Sequence, residues 1–491
     1  MPLLSDLLNR AGLSAELTPS QDVLITAITA DSRQVKPGSI YVAVRGVTVN
    51  GADYIPDAIS RGASAVVAEH GTAMGVATTA PLIAVADVRA SVSALADALY
   101  PQQPEHLYAV TGTDGKTSTA DFLRQLATLL GHKAASVGTL GLRSPVARLN
   151  EQFPAINTSP EPVLLRRILS SLADAGVTHA AIEASSHGLD QKRLDGLRFT
   201  AAAFTNLTRD HLDYHGTVEA YAQAKARLFS AVLPVTGLAV LNRDDAQFEA
   251  LAALCAQRGI RMKSFGLHDA ADYRILSVTP HAGGLDAQLN LRGKTMEVSL
   301  PLYGAFQLFN ILAALAMLDV KPAELEGIVR THLPRLSGVP GRLEKIAEVN
   351  GAPIFVDYAH TPAALANILK TLRPHTAAKL RVVFGAGGDR DTGKRPEMGR
   401  AATEYADDVT ITDDNPRSED PAAIRAAIAA AAPGAETIAD RAVAIRAAIK
   451  KLQPGDVLVV AGKGHETTQT IGSDIIHFSD AEHIREAVGS R

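Results

Sequence analysis

The segment Gly112-Thr113-Asp114-Gly115-Lys116-Thr117 is the strongest constraint on what this chain can fold into. It follows a short apolar run, Leu107 to Thr111. It precedes Asp121 to Leu130, where Phe122, Leu123, Leu126, Leu129 and Leu130 fall on one helical face. Strand, glycine loop and helix in that order form the context of a phosphate cradle. Glycines let backbone N–H groups converge, and a helix N-terminus favours an anion. In such a cradle Lys116 would reach the outer phosphates, and the Thr117 hydroxyl, next to Ser118, would take a Mg²⁺ position. The commoner form of these loops has a glycine five residues before the second one, where this chain has Val110, so this is a compressed variant. An ordinary strand–turn–helix connection is the alternative for the stretch.

Elsewhere, apolar β-branched runs alternate with Ala/Leu-rich helical patterns, which argues for βαβ units, parallel sheets and an α/β fold. A chain of 491 residues has room for about three domains. The first section, residues 1–103, places short strands (Ser39 to Val44, Ala65 to Ala68, Leu82 to Val85) around a helix from Tyr54 to Arg61. The Pro-rich polar stretch Pro101 to His106 reads as a linker. A central section, 104–337, carries the glycine loop. A second boundary falls in Leu333 to Arg342, where two prolines and two glycines interrupt a helical pattern, and the third section is 338–491.

Composition removes several function classes. Apolar residues at 46% and charged ones at 20% exclude a disordered chain. With 48 basic against 52 acidic residues there is no electrostatic case for nucleic acid or an anionic membrane. Tryptophan is absent and aromatics total 4%, which disfavours base stacking. The single cysteine, Cys255, excludes an internal disulfide and a thiolate metal cluster. No signal peptide is expected from MPLLSDLLNRAGLSAEL, and no apolar run is long enough to span a membrane. The expectation is a cytoplasmic, monomeric, multidomain enzyme that acts on small molecules.

Six further apolar runs end abruptly in polar or glycine-rich residues: HAAIEASSHG, AFTNLTRDHLDYHG, IFVDYAH, RVVFGAGGDR, VTITDDNPR and VLVVAGKGHE. Ligands of open α/β sheets bind outside the carboxyl ends of strands, where each of these clusters would lie. Glu183 and His211 are candidate metal groups at such ends, and oxygen donors beside Thr117 suit Mg²⁺ better than zinc. A hydrogen-bonded structural histidine is the alternative for His211. Arg390, Lys394, Arg395 and Arg417 give the third section a cationic rim.

Taken together, TGTDGKT, EASSHGLDQKRL, NLTRDHLDYHGT, YGAFQLFN, PGRLE, VDYAHTP, GGDRDTGKRP, DDNPR and AGKGHE resemble the Mur ligase family over nearly the whole chain, in the family's order. The N-terminal DSRQVKPGSIYVAVRG and NGADYI resemble a domain that holds a substrate's uridine end. The resemblance implies three α/β domains. The first binds the UDP-sugar, the central one is a P-loop-like ATPase with a parallel sheet, and the last is a Rossmann-like sheet for the incoming amino acid. It implies an ATP- and Mg²⁺-dependent amide ligation through an acyl phosphate, with UDP-N-acetylmuramoyl-L-Ala-D-Glu and meso-diaminopimelate as substrates.

Carried over by matching motif, Gly112 to Ser118 would hold ATP, and Asn310, Arg342, Asp357 and His360 match positions around adenosine and phosphates. Lys116, Lys225 and His211 carry the catalytic expectation. Thr117, Glu183, His211 and Lys225 match the metal positions, since Lys225 stands where the family carries a carbamylated lysine. An ordinary exposed helix lysine is what Lys225 would otherwise be. Ser32, Asn157, Thr158, Ser185, Gln191 and Arg193 match contacts to the nucleotide-sugar dipeptide. Arg390, Asp414, Asn415, Pro416, Arg417, Gly462 and Glu466 match contacts to diaminopimelate. That amino acid differs from lysine by a second carboxylate, which a guanidinium grips bidentately.

Three departures from the family pattern stand out. Asp114 replaces a frequent Asn and adds charge beside the phosphates, Ala386 replaces a frequent Cys, and Asn50 replaces a frequent Asp in a turn either residue can form. Two other readings are open at this stage: a lysine-adding or folylpolyglutamate-forming relative, and a regulatory nucleotide-binding module without ligation.

Overall fold

The computed structural model describes residues 1–46, 49–73, 75–76, 78–153 and 157–489, and these divide into two compact units. One unit comprises residues 1–271 and 313–319; the other comprises 272–312 and 320–491. Both are α/β, and parallel pairing dominates their larger sheets. Among the described residues no helix is long and apolar enough to cross a membrane.

In the first unit, four parallel strands follow one another in chain order: Ala27–Thr29, Ser39–Val42, Ala65–Glu69 and Leu82–Val85. The helix expected around Tyr54 to Arg61 is Ile55–Ser60, entered through a short 3₁₀ turn that Asn50 caps by accepting from Ala52 N. Asn50 thus closes the turn for which either residue serves. The helix Val88–Leu99 packs its Val88, Val92 and Leu95 onto this sheet and closes one core. Residue 103, where a boundary is expected, lies between this helix and strand His106–Thr111, inside the first unit.

Seven strands make the unit's second sheet, with His106–Thr111 between Ala201–Phe204 and His179–Glu183. Leu238–Asn242 and Arg261–Gly266 extend one side, and Ala134–Gly138 with Gly141–Arg143 the other. All neighbours are parallel except that last hairpin. Ala201–Phe204 and Leu238–Asn242 are buried along their whole length, as strands covered on both faces must be, which is why they read as unbroken apolar runs.

The helix after the glycine loop is Lys116–Leu129, so it starts before the expected Asp121. Its first turn, KTST, is polar and carries no apolar period; Gly115, left-handed at φ +83°, caps it directly. Phe122, Leu123 and Leu126 are buried as expected, whereas Leu129 and Leu130 are only half-buried.

At the opposite edge of this sheet three imidazoles stack. His179 lies 4.2 Å from His132 and 4.5 Å from His106, centroid to centroid, and its Nδ1 shares a 2.9 Å hydrogen bond with the Thr178 hydroxyl. Burial first, then the neighbouring His132 and His106, push its pKa down to about 4. The unfolded chain therefore binds a proton that the folded one refuses as pH falls from about 6.5 towards 4, and stability falls with it, by on the order of 2–3 kcal/mol. Thermal unfolding at pH 7 and pH 5 is expected to show a smaller acid-induced loss in His179→Gln than in the wild type. Equal losses in the two proteins would remove His179 as the cause.

The second unit holds an antiparallel sheet, Tyr273–His281, Gly284–Leu291 and Lys294–Leu300. It also holds a six-stranded sheet in the order Glu344–Val349, Ala352–Asp357, Val457–Ala461, Leu380–Phe384, Asp408–Ile411, Glu436–Thr437. Only the first pair of that sheet is antiparallel. Helices lie on both faces. Leu365 and Met398 face one core cluster and Ile445 and Ile484 the other. Residue 337, where the second boundary is expected, lies between the 3₁₀ turn Leu333–Arg335 and strand Glu344–Val349, inside the second unit. All six runs with polar ends are strands, and each motif begins where its strand stops.

Candidate active site

Gly112, the first residue past strand His106–Thr111, adopts φ +146°, and a Cβ there would stand 1.9 Å from Thr205 Oγ1. Only glycine fits both the dihedral and the space. The loop is then strapped to the end of strand Ala201–Phe204. Thr205 Oγ1 donates to Asp114 O at 2.6 Å, Asp114 N donates to Asn206 Oδ1 at 2.9 Å, and Thr113 N donates to Asn206 O at 2.8 Å. Asp114 is held by its main chain while the residue itself is exposed, so the departure from Asn leaves the strap intact. Lys116 Nζ donates to the carbonyls of Gly112 and Thr113 at 2.9 and 2.7 Å and lies across the loop. Ser118, expected beside the phosphates, is buried.

Lys225 is no exposed helix lysine. It is 1% exposed, stands 4.4 Å over the Tyr221 ring, and donates to Gly112 O at 2.6 Å. Two lysines therefore share one carbonyl oxygen. Burial, and then the charge of Lys116, push the Lys225 pKa down to about 6. The Tyr221 hydroxyl shares a 3.2 Å hydrogen bond with Thr113, which fixes this helix against the loop.

Glu183 ends its strand 2% exposed and is the anionic counterpart of the loop. Thr117 Oγ1 donates to Oε2 at 2.9 Å, and Thr139 donates through N to Oε1 at 2.7 Å and through Oγ1 to Oε2 at 3.2 Å. Gly138 leaves the room for this carboxylate, since a Cβ there would stand 2.1 Å from Oε1. A buried carboxylate surrounded by hydroxyls beside a phosphate-type loop is a hard-oxygen donor set, and it fits Mg²⁺. His211 lies on the loop after strand Ala201–Phe204 at φ +52°, 48% exposed at its side chain, with Nε2 3.4 Å from Asp210 and its ring edge-on to His187 at 5.0 Å.

A cavity of about 890 Å³ in the same unit joins Ser32 to Gln191 and Arg193, residues from opposite ends of the expected nucleotide-sugar site. Arg193 donates to Ser159 O and to Gln191 Oε1, both at 2.8 Å, and Gln191 Nε2 donates to the Tyr214 hydroxyl at 3.1 Å. Ser185 caps the helix Ser186–Asp190 and donates to Ser159 Oγ at 3.0 Å, and Thr158 shares a 3.2 Å hydrogen bond with Thr139. Asn157 is exposed. Thr139, Ser159, Asn206 and Tyr214 are the residues sequence reasoning missed. Asn206 and Tyr214 stand inside a motif already singled out, whereas nothing local marks Thr139.

In the second unit, the loops after Leu380–Phe384, Asp408–Ile411 and Val457–Ala461 meet at one sheet edge. Asn415 Nδ2 donates to Glu466 Oε2 at 3.1 Å, and a Cβ on Gly462 would stand 2.7 Å from Asp414 Oδ2. Arg417, left-handed at φ +53°, donates from Nη1 to Gly388 O at 2.7 Å, and a Cβ on Gly388 would stand 1.9 Å from Pro416 O. Arg390 is exposed beside them. Arg395, expected on the cationic rim, is instead 5% exposed and grips both Glu419 oxygens at 2.8 Å. It is a structural ion pair because its helix turns it inward. Ala386 is simply buried in the core. Asp357 accepts from Leu343 N at 2.7 Å and Ala359 N at 2.8 Å, and burial raises its pKa against the pull of Arg342. Arg342 stacks 4.9 Å over Tyr358, whose carbonyl meets His360 Nδ1 at 2.8 Å. Asn310 donates to Gln307 Oε1 at 3.1 Å on the helix Phe306–Met317.

These features define a class: an α/β protein with a lysine-bearing glycine loop in one unit and charged loops gathered at the carboxyl ends of a second, mostly parallel sheet. Comparison with known proteins narrows the class. Residues 24–100 match the Mur ligase family catalytic domain, 110–318 the Mur ligase middle domain, and 341–464 the Mur ligase glutamate ligase domain. The chain belongs to the Mur ligase family. A Bradyrhizobium diazoefficiens protein named UDP-N-acetylmuramoyl-L-alanyl-D-glutamate–2,6-diaminopimelate ligase is 48% identical over 485 residues, 98% of each chain. A Caulobacter vibrioides protein of the same name is 46% identical over 488 residues, 99% of this chain and 98% of its own. A solved structure of that name superposes with a TM-score of 0.72 at 34% identity, covering 99% of both chains. A Mycobacterium tuberculosis folylpolyglutamate synthase shares the fold at a TM-score of 0.59, with 23% identity over 74% of this chain and 89% of its own.

Proposed function

We propose that this chain is the ATP-dependent ligase that joins meso-2,6-diaminopimelate to UDP-N-acetylmuramoyl-L-alanyl-D-glutamate, in peptidoglycan precursor synthesis. The observation that carries this reading is the 48% identity to a ligase of that name over 98% of both chains. The three sections, 1–103, 104–337 and 338–491, then take the UDP end, ATP and the amino acid.

The D-glutamyl γ-carboxylate attacks the γ-phosphorus of ATP, and ADP leaves an acyl phosphate. The diaminopimelate amine adds to that carbonyl, loses a proton, and the tetrahedral intermediate expels phosphate to leave the amide. Lys116 exchanges its loop carbonyls for phosphate oxygens, and the helix N-terminus with Ser118 adds converging N–H donors. Asn310, Arg342, Asp357 and His360 take the adenosine and the remaining phosphate charge. Ser32, Asn157, Thr158, Ser185, Gln191 and Arg193 hold the nucleotide-sugar dipeptide so that its carboxylate is aimed at the phosphate.

Magnesium would be held by Thr117, Glu183, His211 and carbamylated Lys225, and would neutralise phosphate charge. Lys225 is suited to carbamylation: its pKa near 6 leaves a neutral amine at physiological pH, the form that attacks CO₂. Buried Cys255, its thiol pushed up to about 11, is unreactive and takes no part in the chemistry.

Phosphate release from ATP by the purified protein, given UDP-N-acetylmuramoyl-L-Ala-D-Glu and either meso-diaminopimelate or L-lysine, tests the reading. Release with a new tripeptide product is expected only with diaminopimelate. Stripping CO₂ from the buffer is expected to slow the reaction and bicarbonate to restore it. A lysine preference would overturn the specificity, and no ligation with either amino acid would overturn the enzyme.

A further inference from the structure

The geometry points to Lys463 as a positioning residue for Glu466, the carboxylate available to the distal ammonium of diaminopimelate, an inference that rests on the function proposed above. Lys463 lies two residues past strand Val457–Ala461, and its side chain is fully buried. A buried ammonium is costly unless paired, and its partners here are all pocket residues. Nζ stands 3.2 Å from Asn415 Oδ1, 3.3 Å from Glu466 Oε2 and 4.0 Å from Asp414 Oδ1.

This contact, together with Thr470 N, decides which way Asn415 points. Its Oδ1 accepts from Lys463 and, at 3.0 Å, from Thr470 N, so the amide nitrogen must face the other way, where it donates to Glu466 Oε2. Both bonds to the Glu466 carboxylate fall on Oε2, which leaves Oε1 available to a bound ammonium. Strand Leu380–Phe384 lies between Val457–Ala461 and Asp408–Ile411, so no ladder joins those two strands. Beyond their ends the backbone of Arg417 is tied to Thr470 and Gly472, and Lys463 adds the tie nearest the carboxylates of Asp414 and Glu466. Without it, Asp414 and Glu466 lose the cation they share, and Glu466 Oε2 keeps only the Asn415 amide to hold it in place.

The test is Lys463→Met in the full-length enzyme, with initial rates against each substrate. KM for diaminopimelate is expected to rise on the order of tenfold or more, as for loss of hydrogen bonds to charged groups, with kcat and the KM values for ATP and the nucleotide-sugar dipeptide within about twofold. The second readout is 2-aminopimelate, which keeps the distal carboxylate but lacks the distal amine. The wild type is expected to use it with a KM raised on the order of tenfold, and in K463M that penalty shrinks towards one. An unchanged KM for diaminopimelate with the analogue penalty intact overturns the proposal, and so does a uniform loss in kcat and every KM. Should K463M fail to fold, Lys463→Arg keeps the cation but not its reach to both partners. The same KM rise is then expected, and an unchanged KM overturns the proposal. A wild type that ligates lysine but not diaminopimelate sinks the functional reading instead, and this inference with it.

Discussion

Replacing Lys116 by methionine is expected to lower kcat/KM for ATP by about 10³, equivalent to about 4 kcal/mol of transition-state stabilisation, while the fold survives. The side chain is half-buried, and its two hydrogen bonds end on loop carbonyls. Those bonds are worth about 1 kcal/mol each to folding, and the straps from Thr205 and Asn206 remain in the variant. The loss in rate is larger because phosphoryl transfer depends on preplaced positive charge, and a methionine offers none. Two measurements check it: steady-state ADP release, and thermal unfolding of the apo protein. A variant that unfolds near the wild-type temperature yet turns over within tenfold of it would remove Lys116 from the chemistry. Lys225 cannot stand in for the missing cation, because the carbamate proposed for it is an anion.

Arg417→Lys is expected to cost about 3 kcal/mol in kcat/KM for diaminopimelate, roughly a hundredfold, and to narrow the preference over L-lysine by a similar factor. A guanidinium can keep its Gly388 carbonyl with Nη1 and still offer further N–H groups to a carboxylate, whereas an ammonium on a flexible stem cannot do both in one plane. The backbone at Arg417 is not the issue, since it is pinned by Thr470 O, which accepts from Arg417 N, and by Gly472 N, which donates to Arg417 O. Lysine pays the same left-handed cost as arginine there, so a loss seen in competition assays belongs to the side chain. ATP affinity, measured by calorimetry, is expected to stay as in the wild type. An unchanged preference for diaminopimelate over lysine would place the selectivity elsewhere.

Much of this was legible without coordinates. The order of strand, glycine loop and helix at Thr111 to Lys116, and the six apolar runs that stop at charged motifs, follow from properties carried locally. A fully covered parallel strand must be apolar throughout, and a loop that wraps close to other backbone must use glycine. Ordered motifs also sufficed for the family, because their identity and order are carried by the chain itself.

Other features are silent in any window of residues. Lys225 lies in YAQAKARLF, whose periodicity is that of a surface helix, and only the packing of that helix against the glycine loop buries the lysine beside Lys116. Arg395 reads as a rim charge until its helix turns it onto Glu419. Thr139 has no motif, yet it holds the Glu183 carboxylate. The sequence alone therefore determined the α/β fold, the loop and the strand ends, since hydrophobic period and glycine placement act over a few residues. The tertiary structure decided which charges are buried, what they face and where their pKa values lie, because desolvation and pairing depend on neighbours far away in the chain.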